Sequence, residues 1–178
     1  MIMMPIALSR VRPWALPVVL AALGFTLVAQ PVRTVILVRH AERAGGMGAD
    51  AGISEAGRCR SEVLARMLAD AGVKRIYVSE VARTGQTAEP LASKLHIRPE
   101  AVPAKDIEGL LAKLRAEAPG EVVLVVGHSS TLPEIIQRLG GGSVLPIGDS
   151  EYDRLYVVSL TNSNRATVVA LRYAGCVQ

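Results

Sequence analysis

Aromatic residues are scarce in this 178-residue chain, with one Trp, one Phe and four Tyr. Ala, Val and Leu must therefore fill the core, and a base-stacking platform or an aromatic cage is disfavoured. Histidine and cysteine are also rare, three and two respectively. His40, His96 and His128 are far apart, and neither Cys59 nor Cys176 has a neighbour at ligand spacing. No metal motif is present, and neither a metal nor a cofactor is expected. The spacing of the two cysteines leaves their pairing open. The chain has no cluster of basic residues either. Its net charge of +4 comes mostly from dispersed arginines, and Arg10 and Arg12 account for two of the charges. Nucleic acid is thus not an expected partner, whereas a few inward arginines for an anionic substrate would explain the balance.

What is present begins with a targeting segment. Arg10 and Arg12 flank an apolar run over 14–29 that is broken only by Thr26. Its length suits the core of a signal peptide and is slightly short for a membrane span. Residues 1–31 are therefore expected to be a signal peptide or an N-terminal membrane anchor, with an exported, periplasmic or membrane-tethered domain over 32–178. Any membrane contact is expected only through this segment if it is uncleaved. With no cysteine in the run or just after it, lipid attachment there is not expected. The oligomeric state is not legible.

From residue 34 onward, strand-like and helix-like patterns alternate. Strands are expected at 34–38, 75–78, 98–102, 122–126, 155–160 and 167–171, the last two joined by a turn at 161–164. Helices are expected at 55–71, capped by Ser54 and stopped by Gly72, at 81–95 with Pro90 as a candidate bend, at 106–118 and at 132–139. A glycine-rich loop covers 45–52. This order predicts an α/β three-layer sandwich, with a mainly parallel sheet between helices on both faces.

Three strands end directly in polar groups. The first reads Val35-Ile-Leu-Val-Arg-His-Ala-Glu42, the second continues as Ser79-Glu-Val-Ala-Arg83-Thr-Gly-Gln-Thr-Ala88, and the third as Gly127-His128-Ser129-Ser-Thr131. In a parallel sheet these ends share one edge, so groups distant in sequence converge there. Two arginines and two histidines suit the holding and transfer of a phosphoryl group. Guanidinium forks match phosphate oxygens, and an imidazole can attack phosphorus. Residues 129–131 are expected to open a helix whose free N–H groups favour an anion. The third segment also looks like the nucleophile elbow of a serine hydrolase. That elbow wants glycine where Thr131 stands and a histidine downstream, and none follows His128.

Taken together and in order, these motifs resemble a known family. Leu37-Val-Arg-His-Ala-Glu42 resembles the Arg-His-Gly signature of the histidine phosphatase superfamily, the phosphoglycerate-mutase-like proteins. Ser79-x-x-x-Arg83-Thr-x-Gln-Thr-Ala88 resembles its second arginine motif, and Val125-Val-Gly-His128-Ser129 its second-histidine motif. The resemblance covers 34–160 and implies a phosphoglycerate-mutase-like fold. It implies that His40 is the nucleophile that becomes phosphohistidine, with Arg39, Arg83 and His128 on the non-bridging oxygens. Glu42 matches a common family glutamate and, with Ser129, is expected to bind substrate. Ala41 stands where the family usually has glycine. The family's proton donor is often a glutamate after the third strand. That region here holds Asp106 and Glu108 without the motif, and Asp106 is the expected acid.

The implied activity is metal-independent hydrolysis of a small phosphomonoester, such as a sugar phosphate. The alternatives are a phosphohistidine protein phosphatase and a non-catalytic module that binds a phosphate ligand. Mutase activity is less expected, because the short segments between motifs leave little material for a lid.

Overall fold

Apolar residues on both faces of β1 (Arg33–Arg39) make it a central strand. Val35 and Leu37 face one layer of core while Ile36 and Val38 face the other. The computed structural model describes residues 32–45, 51–161 and 166–175. The expected targeting segment at 1–31, most of the 161–164 turn and part of the glycine-rich loop lie outside them. Among the described residues, no helix is long and apolar enough to cross a membrane.

The elements follow as α1 (Glu55–Leu68), β2 (Val73–Val78), α2 (Ala82–Leu95), β3 (Glu100–Ala101), α3 (Ile107–Ala116), β4 (Val122–Gly127), α4 (Leu132–Ile136), β5 (Arg154–Leu160) and β6 (Ala166–Arg172). The six strands form one sheet in the order β3-β2-β4-β1-β5-β6. The first four are mutually parallel, β5 runs antiparallel to β1, and β6 runs antiparallel to β5. One core layer gathers Leu64, Leu68 and Leu91 from α1 and α2. The opposite layer gathers Leu110, Leu111, Leu114, Ile135 and Ile136 from α3 and α4. The expected α/β sandwich, with a mainly parallel sheet and helices on both faces, is thus the observed architecture.

Local differences have local causes. The third strand shrinks from an expected five residues to Glu100–Ala101, because Pro99 has no N–H to give to a ladder. Helix α3 starts one residue late, since Asp106 is its cap and accepts from Gly109 N at 2.8 Å. Helix α2 runs unbroken through Pro90 and ends at His96, which adopts a left-handed conformation with φ of 55°. The last helix is shorter than expected. Beyond Ile136 it widens into a π-type turn over Gln137–Gly141, where Gly140 has φ of 89°. Cys59 is disulfide-bonded. The chain's other cysteine, Cys176, lies outside the described residues.

Register decides where polar groups emerge. Arg39 pairs with Gly127 across β1 and β4, and Val78 pairs with Val126 across β2 and β4. His40, Ser79 and His128 therefore leave the sheet at one edge. Because β5 is antiparallel and Leu155 lies opposite Val38, the residues that enter β5 reach that same edge. The chain after His40 is then held against α1. Ser54 N donates to Glu42 O at 2.8 Å, and a Cβ built on Gly57 would lie 2.5 Å from Glu42 O and 2.9 Å from Ile53 Cβ. Gly57→Ala should therefore push this segment outward and destabilise the protein by about 1–3 kcal/mol, read as a lower midpoint in urea unfolding.

Candidate active site

At the shared edge, a cavity of about 630 Å³ is lined by Arg39, His40, Arg83, His128 and Ser129. Five of the seven residues singled out in the sequence thus converge, each for a traceable reason. Arg39 ends β1, His40 and His128 directly follow β1 and β4, and Arg83 lies in the first turn of α2. Arg43, Asp149 and Tyr152 also line the cavity, and the motifs pointed to none of them.

His40 is almost fully buried at 6% exposure. Its amide donates to Gly127 O at 2.9 Å, which locks it to β4. Its Nδ1 lies 2.8 Å from Ala41 O. A carbonyl can only accept, so Nδ1 carries the proton and Nε2 keeps its lone pair. Burial drives the His40 pKa down to about 4, helped by Arg83, Arg39 and His128 and opposed by the hydrogen bond to Ala41. The ring is therefore neutral near pH 7, as a nucleophile must be. The backbone beside it is pinned as well. Ala41 N donates to Thr87 Oγ1 at 2.9 Å, and that hydroxyl donates to Arg83 O at 2.7 Å. Thr87 couples the His40 backbone to the helix that carries Arg83.

The His128 ring sits 5.4 Å from that of His40, edge-on at 65°. Burial first, and then Arg83, push its pKa down, against the raising influence of Glu80. Ser79 Oγ lies 3.0 Å from His128 Nε2 and orients the ring. Ser79 itself is fixed by Thr84, whose hydroxyl accepts from Ser79 N at 3.1 Å.

Arg39 is held differently from a simple phosphate clamp. Its Nη1 donates to Gly148 O, Asp149 O and Glu151 O at 2.8, 2.9 and 3.0 Å. The Tyr152 ring covers the guanidinium at 4.1 Å. Its Nε is buried with no hydrogen-bond partner among the described residues. The Nη1 edge of this guanidinium therefore builds the wall of the cavity that Arg39 lines.

Three expectations are corrected. Asp106 spends its carboxylate on the α3 cap and borders a separate crevice of about 30 Å³, not the catalytic cavity. Glu42, next but one to the nucleophile, is chelated by Arg60, with contacts of 2.7, 2.8 and 3.0 Å, and does not line the cavity. The segment after His128 offers no extended helix terminus either. The amides of Thr131 and Leu132 bond back to His128 O at 3.1 and 3.0 Å, and α4 has only five residues. The acidic stretch at 149–153 reads from sequence either as reaching the pocket rim or, more simply, as a solvated loop, and it is divided in role. Glu151 and Asp153 pair with Arg154 and Arg172. Hydrogen bonds from Arg154, Gly148 and Arg172 hold Glu151 down to about pKa 2. Asp149 and Tyr152 face the cavity. The cluster of acids was a visible signal, but its placement required knowing that β5 enters the sheet at the edge shared by His40 and His128.

The comparisons agree with the fold and with a family match over its first part. Residues 35–104 match the model of the histidine phosphatase superfamily, branch 1. No curated protein sequence matches the chain. The fold is similar to the protein histidine phosphatase SixA complexed with tungstate, at 22% identity and TM-score 0.64, covering 78% of this chain and 96% of that one. It is also similar to mycobacterial glucosyl-3-phosphoglycerate phosphatase, at 14% identity and TM-score 0.63, covering 82% and 100%. A third similar structure, a mycobacterial hydrolase, has 16% identity and TM-score 0.64 over 82% and 100%.

Keeping His40 neutral makes folding sensitive to acid. The folded pKa of about 4 lies below the unfolded value of 6.5, so the unfolded chain binds more protons between these values. Stability should therefore rise with pH from about 4 to 6.5. At the acid end this group alone should account for a loss on the order of 3 kcal/mol. Urea unfolding of wild type and His40→Ala across that range checks this, and the variant should show the flatter profile.

Proposed function

From the premise that the segment 35–104 belongs to the histidine phosphatase superfamily, we propose that the protein is a metal-independent phosphatase acting on a small phosphomonoester. The observation that carries this reading is the state of His40. It is a buried, neutral imidazole with its proton fixed on Nδ1 and its Nε2 lone pair left for attack, beside Arg39, Arg83 and His128.

In the first step, Nε2 attacks phosphorus and the leaving oxygen departs on the opposite side. The dianionic phosphoryl group is held by the arginines and by His128, whose charges and N–H groups meet the non-bridging oxygens as charge shifts among them. Water then displaces His40 from phosphorus. Ser79 keeps the His128 ring in place, and Thr87 keeps the His40 backbone from drifting. Positioning of this kind, rather than any change of backbone, supplies much of the rate.

The link between β3 and α3 spans only 102–106. It provides no lid to exclude water from the phosphohistidine, which favours hydrolysis over transfer to a second substrate. A second reading, a phosphatase for phosphohistidine on a protein, draws on the similarity to SixA. The apolar run at 14–29 supports export, so the proposed substrates lie outside the cytoplasm; cell fractionation checks the location.

The activity test uses purified protein with 4-nitrophenyl phosphate, a sugar-phosphate panel and a phosphohistidine-bearing protein. Wild type should release phosphate, and His40→Ala should lose activity by at least about 10³-fold, the scale expected when a covalent nucleophile is removed. Phosphate binding without turnover would support the non-catalytic module instead. A variant as active as wild type would remove His40 from the mechanism.

A further inference from the structure

The first step needs a proton for the leaving oxygen, and the two carboxylates expected nearest to that task are occupied elsewhere. Glu42 is chelated by Arg60, and Asp106 caps α3. A third candidate, Glu80, follows Ser79 at the strand edge, but its Oε2 accepts from Ala104 N at 2.7 Å and it does not line the cavity. That backbone hydrogen bond also holds its pKa down, which suits a structural anion and not a proton donor. Among the described residues that line this cavity, the one carboxylate is Asp149.

We propose that Asp149 is the general acid and base of this site, protonating the leaving oxygen in the first step and deprotonating water in the second. The assignment rests on the phosphatase reading above and completes it. The turn that carries Asp149 is braced on two sides. Arg39 Nη1 holds the carbonyls of Gly148, Asp149 and Glu151. The Glu151 carboxylate accepts from Gly148 N at 2.8 Å, while Glu151 N donates to Gly148 O at 3.0 Å. The backbone of residue 149 is therefore fixed relative to the catalytic strand. Its carboxylate forms no hydrogen bond or ion pair among the described residues.

Position agrees with the direction of reaction. His40 is buried at the floor, so in-line displacement sends the leaving oxygen toward the open rim, where Asp149 is exposed. A dianionic phosphoryl group entering the same cavity raises the proton affinity of a neighbouring carboxyl group. As the Nε2–P bond forms and the P–O bond breaks, the leaving oxygen takes the bonding pair and the Asp149 proton and departs as an alcohol. The Asp149 carboxylate then accepts a proton from the water whose oxygen attacks phosphorus. The Nε2–P bond breaks, the electron pair returns to Nε2, and neutral His40, protonated Asp149 and inorganic phosphate remain.

The test compares esters that differ in their need for an acid. Wild type, Asp149→Asn and Asp149→Glu are assayed on 4-nitrophenyl phosphate, whose leaving group departs readily as an anion, and on ethyl phosphate, whose leaving group does not. Asp149→Asn should lose kcat/KM on the ethyl ester at least about 100-fold more than on the aryl ester, the scale of general acid catalysis. Asp149→Glu should recover part of that difference. Because the measure is a ratio within one preparation, a misfolded fraction cancels. Equal losses on both esters, or no loss on either, would overturn the role of Asp149 while leaving the phosphatase intact. Failure of wild type to hydrolyse any phosphate ester would overturn the phosphatase reading and this assignment with it.

Discussion

The Arg39 guanidinium joins the two halves of this sheet at the point where they meet the cavity. It arrives on a parallel strand, β1, and its Nη1 is taken up by three carbonyls of the turn that leads into antiparallel β5. A buried guanidinium without such partners would be costly, so the contact both stabilises the arginine and fixes the turn. Tyr152 completes the enclosure with its ring over the cation. Arg39 therefore does more than contact phosphate. It sets the height of the rim, and with it the position of every side chain carried between Gly148 and Tyr152.

Burial does comparable work for His40. The same removal from water that lowers its pKa also makes it a neutral base at ordinary pH, and the Ala41 carbonyl selects which nitrogen is free. The nearby arginines and His128 press in the same direction, because a protonated His40 would be one more cation among them. Activation of the nucleophile and acid sensitivity of the fold therefore have one cause. Thr87, Ser79 and Thr84 make no demand on charge. They are short hydroxyl residues that convert the strand ends and the start of α2 into fixed mounts for the two imidazoles.

Much of this was legible in the sequence, for physical reasons. Five successive apolar residues before Gly127 mark a buried strand, and a polar pair at the end of such a strand has few places to go but a site. Parallel order then brings distant strand ends together, which is why Arg39, His40, Arg83, His128 and Ser129 line one cavity. The carboxylates were read less well. Proximity in sequence recommended Glu42 and Asp106, yet a carboxylate is available only if no nearer donor takes it, and Arg60 and the first turn of α3 do so. Nothing in the spacing of residues 42 and 60 announces that pair. The stretch with Asp149 and Tyr152 was visible as acidic, but its place at the cavity depends on topology. The chain enters an antiparallel strand where it leaves a parallel one, so the segment before β5, and not the one after it, belongs to the catalytic edge.

That reversal bears on how such a site can be completed without added material. The parallel strands bring Arg39, His40, Ser79 and His128 to one edge at their carboxyl ends, and the first turns of α2 add Arg83, Thr84 and Thr87. A proton donor for the leaving group must instead approach from the solvent side, since in-line displacement separates attacking and leaving atoms. An extended lid could supply it, but the 102–106 link is too short to cross the cavity, and β3 keeps only two residues. The entering turn of β5 already stands on that side, held by the arginine next to the nucleophile. One backbone tether, from Arg39 to Asp149 O, thus couples the turn that carries Asp149 to the strand that ends at His40.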